Sequence, residues 1–140
     1  MVLNESLNDA EDYNDRGVYY LQNGDSEQAI AYLTKAIQLD PNYAYAYNNR
    51  SFAYLEIGDY DKAIFDCTKA IQLDPGYVNA YNSRAVIFNK IGNFDKAIAD
   101  CNQAICLEPN KIKAYFNRGI AYGQKKNGNR RLLTLRLFYN

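Results

Sequence analysis

The chain has 140 residues, 48% of them hydrophobic, and its 16 Lys and Arg balance 16 Asp and Glu to a formal net charge of zero. That length and composition fit one packed soluble unit, and the charge balance argues against nucleic acid or an anionic membrane as the main target. His is absent, which removes the commonest general base and a main zinc ligand; neither catalysis, a metal site nor a cofactor is expected.

Residues 1–9 read as a polar, acidic lead-in without the basic start and apolar run of a secretory signal. No 18-residue apolar stretch occurs anywhere, so the expectation is a soluble, cytoplasmic protein. Three cysteines without paired spacing argue against a disulfide framework. Cys67 and Cys101 are placed as core residues, and Cys106, five positions after Cys101, does not stand beside it on a helix.

From residue 10 the chain repeats itself. The stretch AYNNR at 46–50 returns as AYNSR at 80–84 and AYFNR at 114–118, with DYNDR at 12–16 a weaker first copy. Tyr13, Tyr47, Tyr81 and Tyr115 therefore fall in one column, and Arg16, Arg50, Arg84 and Arg118 in another, at a spacing of 34 residues. Such a period means a stack of supersecondary units, none able to bury its apolar face alone. The units run 10–43, 44–77 and 78–111, followed by a first helix at 112–124 and a divergent basic, apolar tail at 125–140.

Within the second unit, Ala44, Tyr47, Ser51, Tyr54 and Leu55 step by three and four, which predicts a helix with one buried face. After Gly58, Ala63, Ile64, Cys67, Ala70 and Ile71 repeat the pattern and predict a second helix. Asp59 and Asn93 are placed as N-caps, Asp61 and Asp95 add charge at the positive end of the dipole, and Gly24, Gly58 and Gly92 mark the turn before each second helix. Pro41, Pro75 and Pro109 punctuate the unit ends. Gly17, Ser51, Ala85 and Gly119, with Ala29, Ala63 and Ala97, are small where paired helices approach closely.

The alternation of aromatic, small, aromatic, Ala, Ala and Pro at this period resembles the tetratricopeptide repeat over residues 10–124, although the column that often holds Trp in that family holds Tyr here. The resemblance implies an all-α, right-handed α-solenoid of antiparallel helix pairs, with three full repeats plus one extra helix. It also implies a protein–protein interaction module or scaffold whose first helices line a concave groove for a peptide or helix. The groove residues it implies are Asn14, Tyr45, Asn48, Asn49, Phe52, Asn79, Asn82, Ser83, Lys113, Phe116 and Asn117. An asparagine ladder carries donors and acceptors for the backbone of an extended peptide, while Phe52 and Phe116 offer apolar contact. Members of the family that clamp the carboxylate tails of chaperones use Lys, Asn and Arg at positions held here by Asn14, Val18, Asn49, Asn79 and Ser83, where only Asn49 agrees, or, one copy along, by Asn48, Phe52, Ser83, Lys113 and Asn117, where only Lys113 agrees; both registers argue against such a clamp.

The Arg column reads as ion pairing of Arg50, Arg84 or Arg118 with the Asp66 and Asp100 column rather than as a phosphate ladder. In the tail, Gly128 in the role of turn glycine implies two inserted residues and puts Leu133 where the other copies have Ala. The register is lost, leaving Leu132, Leu133, Leu135, Leu137 and Phe138 beside three arginines. This segment either folds back on the stack, joins two chains or has no role. The alternative function is a structural unit that forms a homo-oligomer through its C-terminal edge and tail.

Overall fold

A computed structural model describes residues 7–139 and is helical with short connections. Seven helices are seen among these residues: α1 (Ala10–Gln22), α2 (Ser26–Leu39), α3 (Ala44–Glu56), α4 (Tyr60–Leu73), α5 (Val78–Lys90), α6 (Phe94–Leu107) and α7 (Ile112–Tyr139). Each of α1, α3 and α5 packs on its successor, and each of α2, α4 and α6 on the helix that follows it. The odd-numbered helices also touch one another, α1 on α3, α3 on α5 and α5 on α7, whereas the even-numbered ones do not. The stack is tighter on the odd side, which makes that side concave. No described helix is long and apolar enough to cross a membrane.

Local chemistry explains the helix starts. The carboxylates of Asp25 and Asp59 and the amide oxygen of Asn93 accept from the backbone N–H of Gln28, Lys62 and Lys96 at 3.0, 3.2 and 3.3 Å, capping α2, α4 and α6. The glycine before each cap has φ of 76° to 81°, a left-handed conformation that L side chains seldom adopt. Before α3 and α5 the turn is instead made by Asp40 and Asp74, whose carboxylates accept from the amides of Asn42 and Gly76 at 3.0 Å.

Inside each pair, a small residue on the first helix receives a bulkier one from the second. A Cβ placed on Gly17 would lie 2.5 Å from Leu33 Cγ. The corresponding contact in the next pair brings the Cys67 thiol to Ser51, and burial pushes Cys67 up to about 12. Cys101 is also fully enclosed and pushed up to about 11, mainly by burial, while Cys106 is exposed. The tyrosine column has a polar role as well: Tyr47, Tyr81 and Tyr115 donate their hydroxyls to the carbonyls of Pro41, Pro75 and Pro109 at 3.0, 3.0 and 2.9 Å. Each stitches the start of a first helix to the turn before it.

The arginine column is engaged within the stack. Arg50 and Arg84 form two-pronged pairs with Asp66 and Asp100 at 2.7–2.8 Å, and each also donates to a threonine of the preceding unit, Thr34 or Thr68, at 3.1 Å. Burial pushes the Asp66 carboxyl up while Arg50 pulls it down; burial also works to lower Arg50, which Asp66 nevertheless raises. The bidentate geometry favours the ionised pair, because a guanidinium keeps its charge and the second carboxylate oxygen is needed as an acceptor. Arg118 departs from the expected ion pairing: both acids are committed to Arg50 and Arg84, and Arg118 donates to the Asn102 side chain at 2.9 Å. Arg16 lies over the ring of Tyr32, which occupies the column of the acids.

The C-terminal segment differs from its expected form. Neither an end near residue 124 nor a fold-back is seen: α7 continues to Tyr139, and Gly128 lies within it without positive φ. The reason is one column. Counting 34 residues on from Gly92 gives Lys126, so the position that breaks the earlier helices has lost its glycine. Lys125 also pairs with Asp95 of α6 at 2.6 Å, tying the continued helix to the stack. The leucines and Phe138 of the tail are exposed on α7.

Candidate binding groove

A concavity of about 500 Å³ opens on the odd-numbered side, between α3, α5 and α7. Asn48, Asn49, Phe52, Asn79, Asn82, Ser83, Lys113, Phe116 and Asn117 line it, so nine of the residues placed in the groove by sequence come together. Helical spacing explains this: Asn48, Asn49 and Phe52 stand one turn apart on α3, and the same register on α5 and α7 supplies Asn82 and Ser83, then Phe116 and Asn117.

Two expected residues lie elsewhere. Asn14 is buried between α1 and α3, its side-chain oxygen accepting from Asn49 Nδ2 at 2.9 Å. Tyr45 stacks edge-on against Tyr77, ring centroids 4.9 Å apart, outside the lining. Conversely, Tyr77 lines the concavity although it sits in the turn before α5 rather than on an inner helix face. Its repetition at Tyr43 and Tyr77 was the available signal. Val86 completes the wall.

The asparagines differ in how they are satisfied. Asn48 Nδ2 donates to the Tyr77 hydroxyl at 3.3 Å, and burial pushes that phenol up to about 12, so it stays protonated. Asn82 stands one unit on, in the same column. Its tyrosine has become Lys111, which reaches out to Glu108 at 3.4 Å. Asn82 is consequently 6% exposed with neither Nδ2 nor Oδ1 partnered by a protein group. The Oδ1 atoms of Asn48 and Asn89 are likewise unpartnered. Ser83 is engaged with the backbone of its own helix, donating to the Asn79 carbonyl at 2.8 Å.

Among the described lining residues Lys113 alone is charged, and Phe52 and Phe116 present exposed rings at two sides. Such a wall supplies amide donors and acceptors, two apolar plates and one cation; it offers hydrogen bonding and packing rather than bond-breaking chemistry.

Stacked helix pairs around a polar concave groove define an α-helical repeat protein. The model of the tetratricopeptide repeat matches residues 10–43, 44–77 and 78–111, more than half of the sequence, and the chain belongs to that family. Solved structures agree. The second such domain of human RPAP3, in complex with the HSP70 peptide SGPTIEEVD, is 33% identical with a TM-score of 0.77, over 81% of this chain and 94% of that one. The Arabidopsis OM64 domain is 29% identical with a TM-score of 0.79, over 81% and 94%. MamA is 32% identical with a TM-score of 0.79, over 85% and 70%. No curated protein matches the sequence.

Proposed function

We propose that the chain is a non-enzymatic interaction module that holds an extended peptide segment of a partner protein in the groove between α3, α5 and α7. The observation that carries this reading is Asn82, a nearly buried amide in the groove wall with its donor and acceptor both unpartnered by protein. A peptide unit presents one acceptor and one donor, the complement of that amide. Phe52 and Phe116 would pack an apolar side chain of the bound segment, and Lys113 would take one acidic group. A chaperone tail rich in carboxylates is a poor match for a groove with a single lining cation.

The test is selection of a displayed random peptide library on the purified chain, followed by anisotropy titration of enriched clones. The reading expects clones that bind the parent and are lost on Phe116→Glu, an exposed change that leaves the circular dichroism unaltered. It also expects SGPTIEEVD to bind more weakly than those clones. Absence of enrichment, or clones held equally by the variant, would refute the groove.

A further inference from the structure

The repeat has a second surface whose requirements can be read residue by residue, and it lies away from the groove, on the face of α7 that an eighth helix would cover. In the second and third units Tyr47 and Tyr81 are 7% and 8% exposed and Phe88 is 8% exposed, while Tyr13, Tyr20 and Tyr54 of the same columns are half-buried. Their equivalents on α7, Tyr115 and Tyr122, are 44% and 54% exposed. Gly119 stands in the column of Gly17, where a Cβ would collide with Leu33, yet a Cβ on Gly119 would meet no neighbouring element within 4 Å. Arg118 stands in the column of Arg50 and Arg84, each of which grips an aspartate from the second helix of its unit; among the described residues Arg118 meets no carboxylate, donating to the amide oxygen of Asn102 and lying over the ring of Tyr115.

Spacing defines the missing helix. In the second and third units the acid lies 16 residues beyond its arginine, as Asp66 to Arg50 and Asp100 to Arg84, and the residue after Asp66, Cys67, meets Ser51 of the small column. Because α7 runs straight past Lys126, none of the described residues supplies such a helix.

We propose that the Tyr115–Tyr122 face of α7 accepts, in trans, one helix of a partner protein carrying an aspartate that pairs with Arg118 and, directly after it, a mid-sized apolar residue that fills the space over Gly119. Charge favours an acidic helix, since α7 carries seven cations and no acid from Ile112 to Tyr139. The same fact disfavours a second copy. Another α7 brings no aspartate, Asp66 and Asp100 of a folded copy are buried in their own pairs, and Asp12 of α1 accepts from the amides of Asn8 and Asp9.

The probe is a fluorescein-labelled peptide of residues 59–75, which contains the α4 pattern, stapled between positions 61 and 65 to hold the helix. Both positions are exposed in the protein. The parent chain is expected to bind it saturably in anisotropy titrations. Arg118→Gln in the protein, or Asp66→Asn in the peptide, weakens binding about tenfold, the size of a charged hydrogen-bond loss. Gly119→Leu abolishes it with unchanged helicity. The proposal is overturned by no saturable binding, by equal binding to Gly119→Leu, or by a parent dimer in sedimentation that Gly119→Leu dissociates.

Discussion

Arg50 and Asp66 meet prong to prong, Nε and Nη2 each donating to one carboxylate oxygen at 2.8 Å, with the aspartate side chain only 1% exposed. Removing one member of a buried pair strands the other. Asp66→Ala is expected to cost about 3–5 kcal/mol in urea denaturation, whereas Arg50→Met with Asp66→Leu recovers most of the loss. A single-variant cost below about 1 kcal/mol would contradict the pairing.

The two ends of the small-residue column behave oppositely. Gly17→Ala drives a methyl against Leu33 and is expected to destabilise by about 1–3 kcal/mol. Gly119→Ala meets nothing within 4 Å and gains about 0.5–1 kcal/mol from helix propensity. Thermal melts of the two variants read the sign directly.

Burial holds Cys67 and Cys101 protonated, at about 12 and about 11 against an ordinary 9.0. A folded value above the unfolded one contributes stability that is fully present below about pH 9 and is lost as pH rises toward the folded value. Urea stability is therefore expected to fall from pH 9 upward, by at most about 1.4 kcal/mol per pH unit for each thiol. Replacing Cys67 with Val makes that limb shallower. At pH 8 a thiol reagent should modify exposed Cys106 and spare the other two until the chain unfolds.

Tyr47 donates its hydroxyl to the Pro41 carbonyl at 3.0 Å while its ring is buried. Tyr47→Phe keeps the ring and removes the bond, with an expected loss of about 0.5–1.5 kcal/mol in denaturant titration.

Much of this architecture was legible because a repeat makes the same statement several times. Gly58 alone is an ambiguous turn; Gly24, Gly58 and Gly92 at equal spacing, each followed by a capping Asp or Asn, are a rule. The Arg–Asp columns were legible for the same reason, and Arg118 departs because no third acid follows it in register. The groove was harder. Helical register placed Asn48, Asn82 and Phe116 correctly on the concavity, yet it cannot tell an asparagine facing open space from Asn14, which turns aside to Asn49. Tyr77 was missed because its backbone lies in a turn. The continuation of α7 was signalled by Lys126 in the glycine column, a cue outweighed by the nearby Gly128.

The central claim is that Asn82 and its neighbours receive a peptide. It is tested most directly by titrating a library-selected peptide into ¹⁵N-labelled protein and following the asparagine side-chain amides. The account predicts that the Asn82, Asn79 and Asn49 amide pairs shift together with the Phe116 backbone, while Asn102 on the even-numbered side stays unmoved. Shifts confined to α2, α4 and α6, or to residues 125–139, with Asn82 unchanged would contradict it.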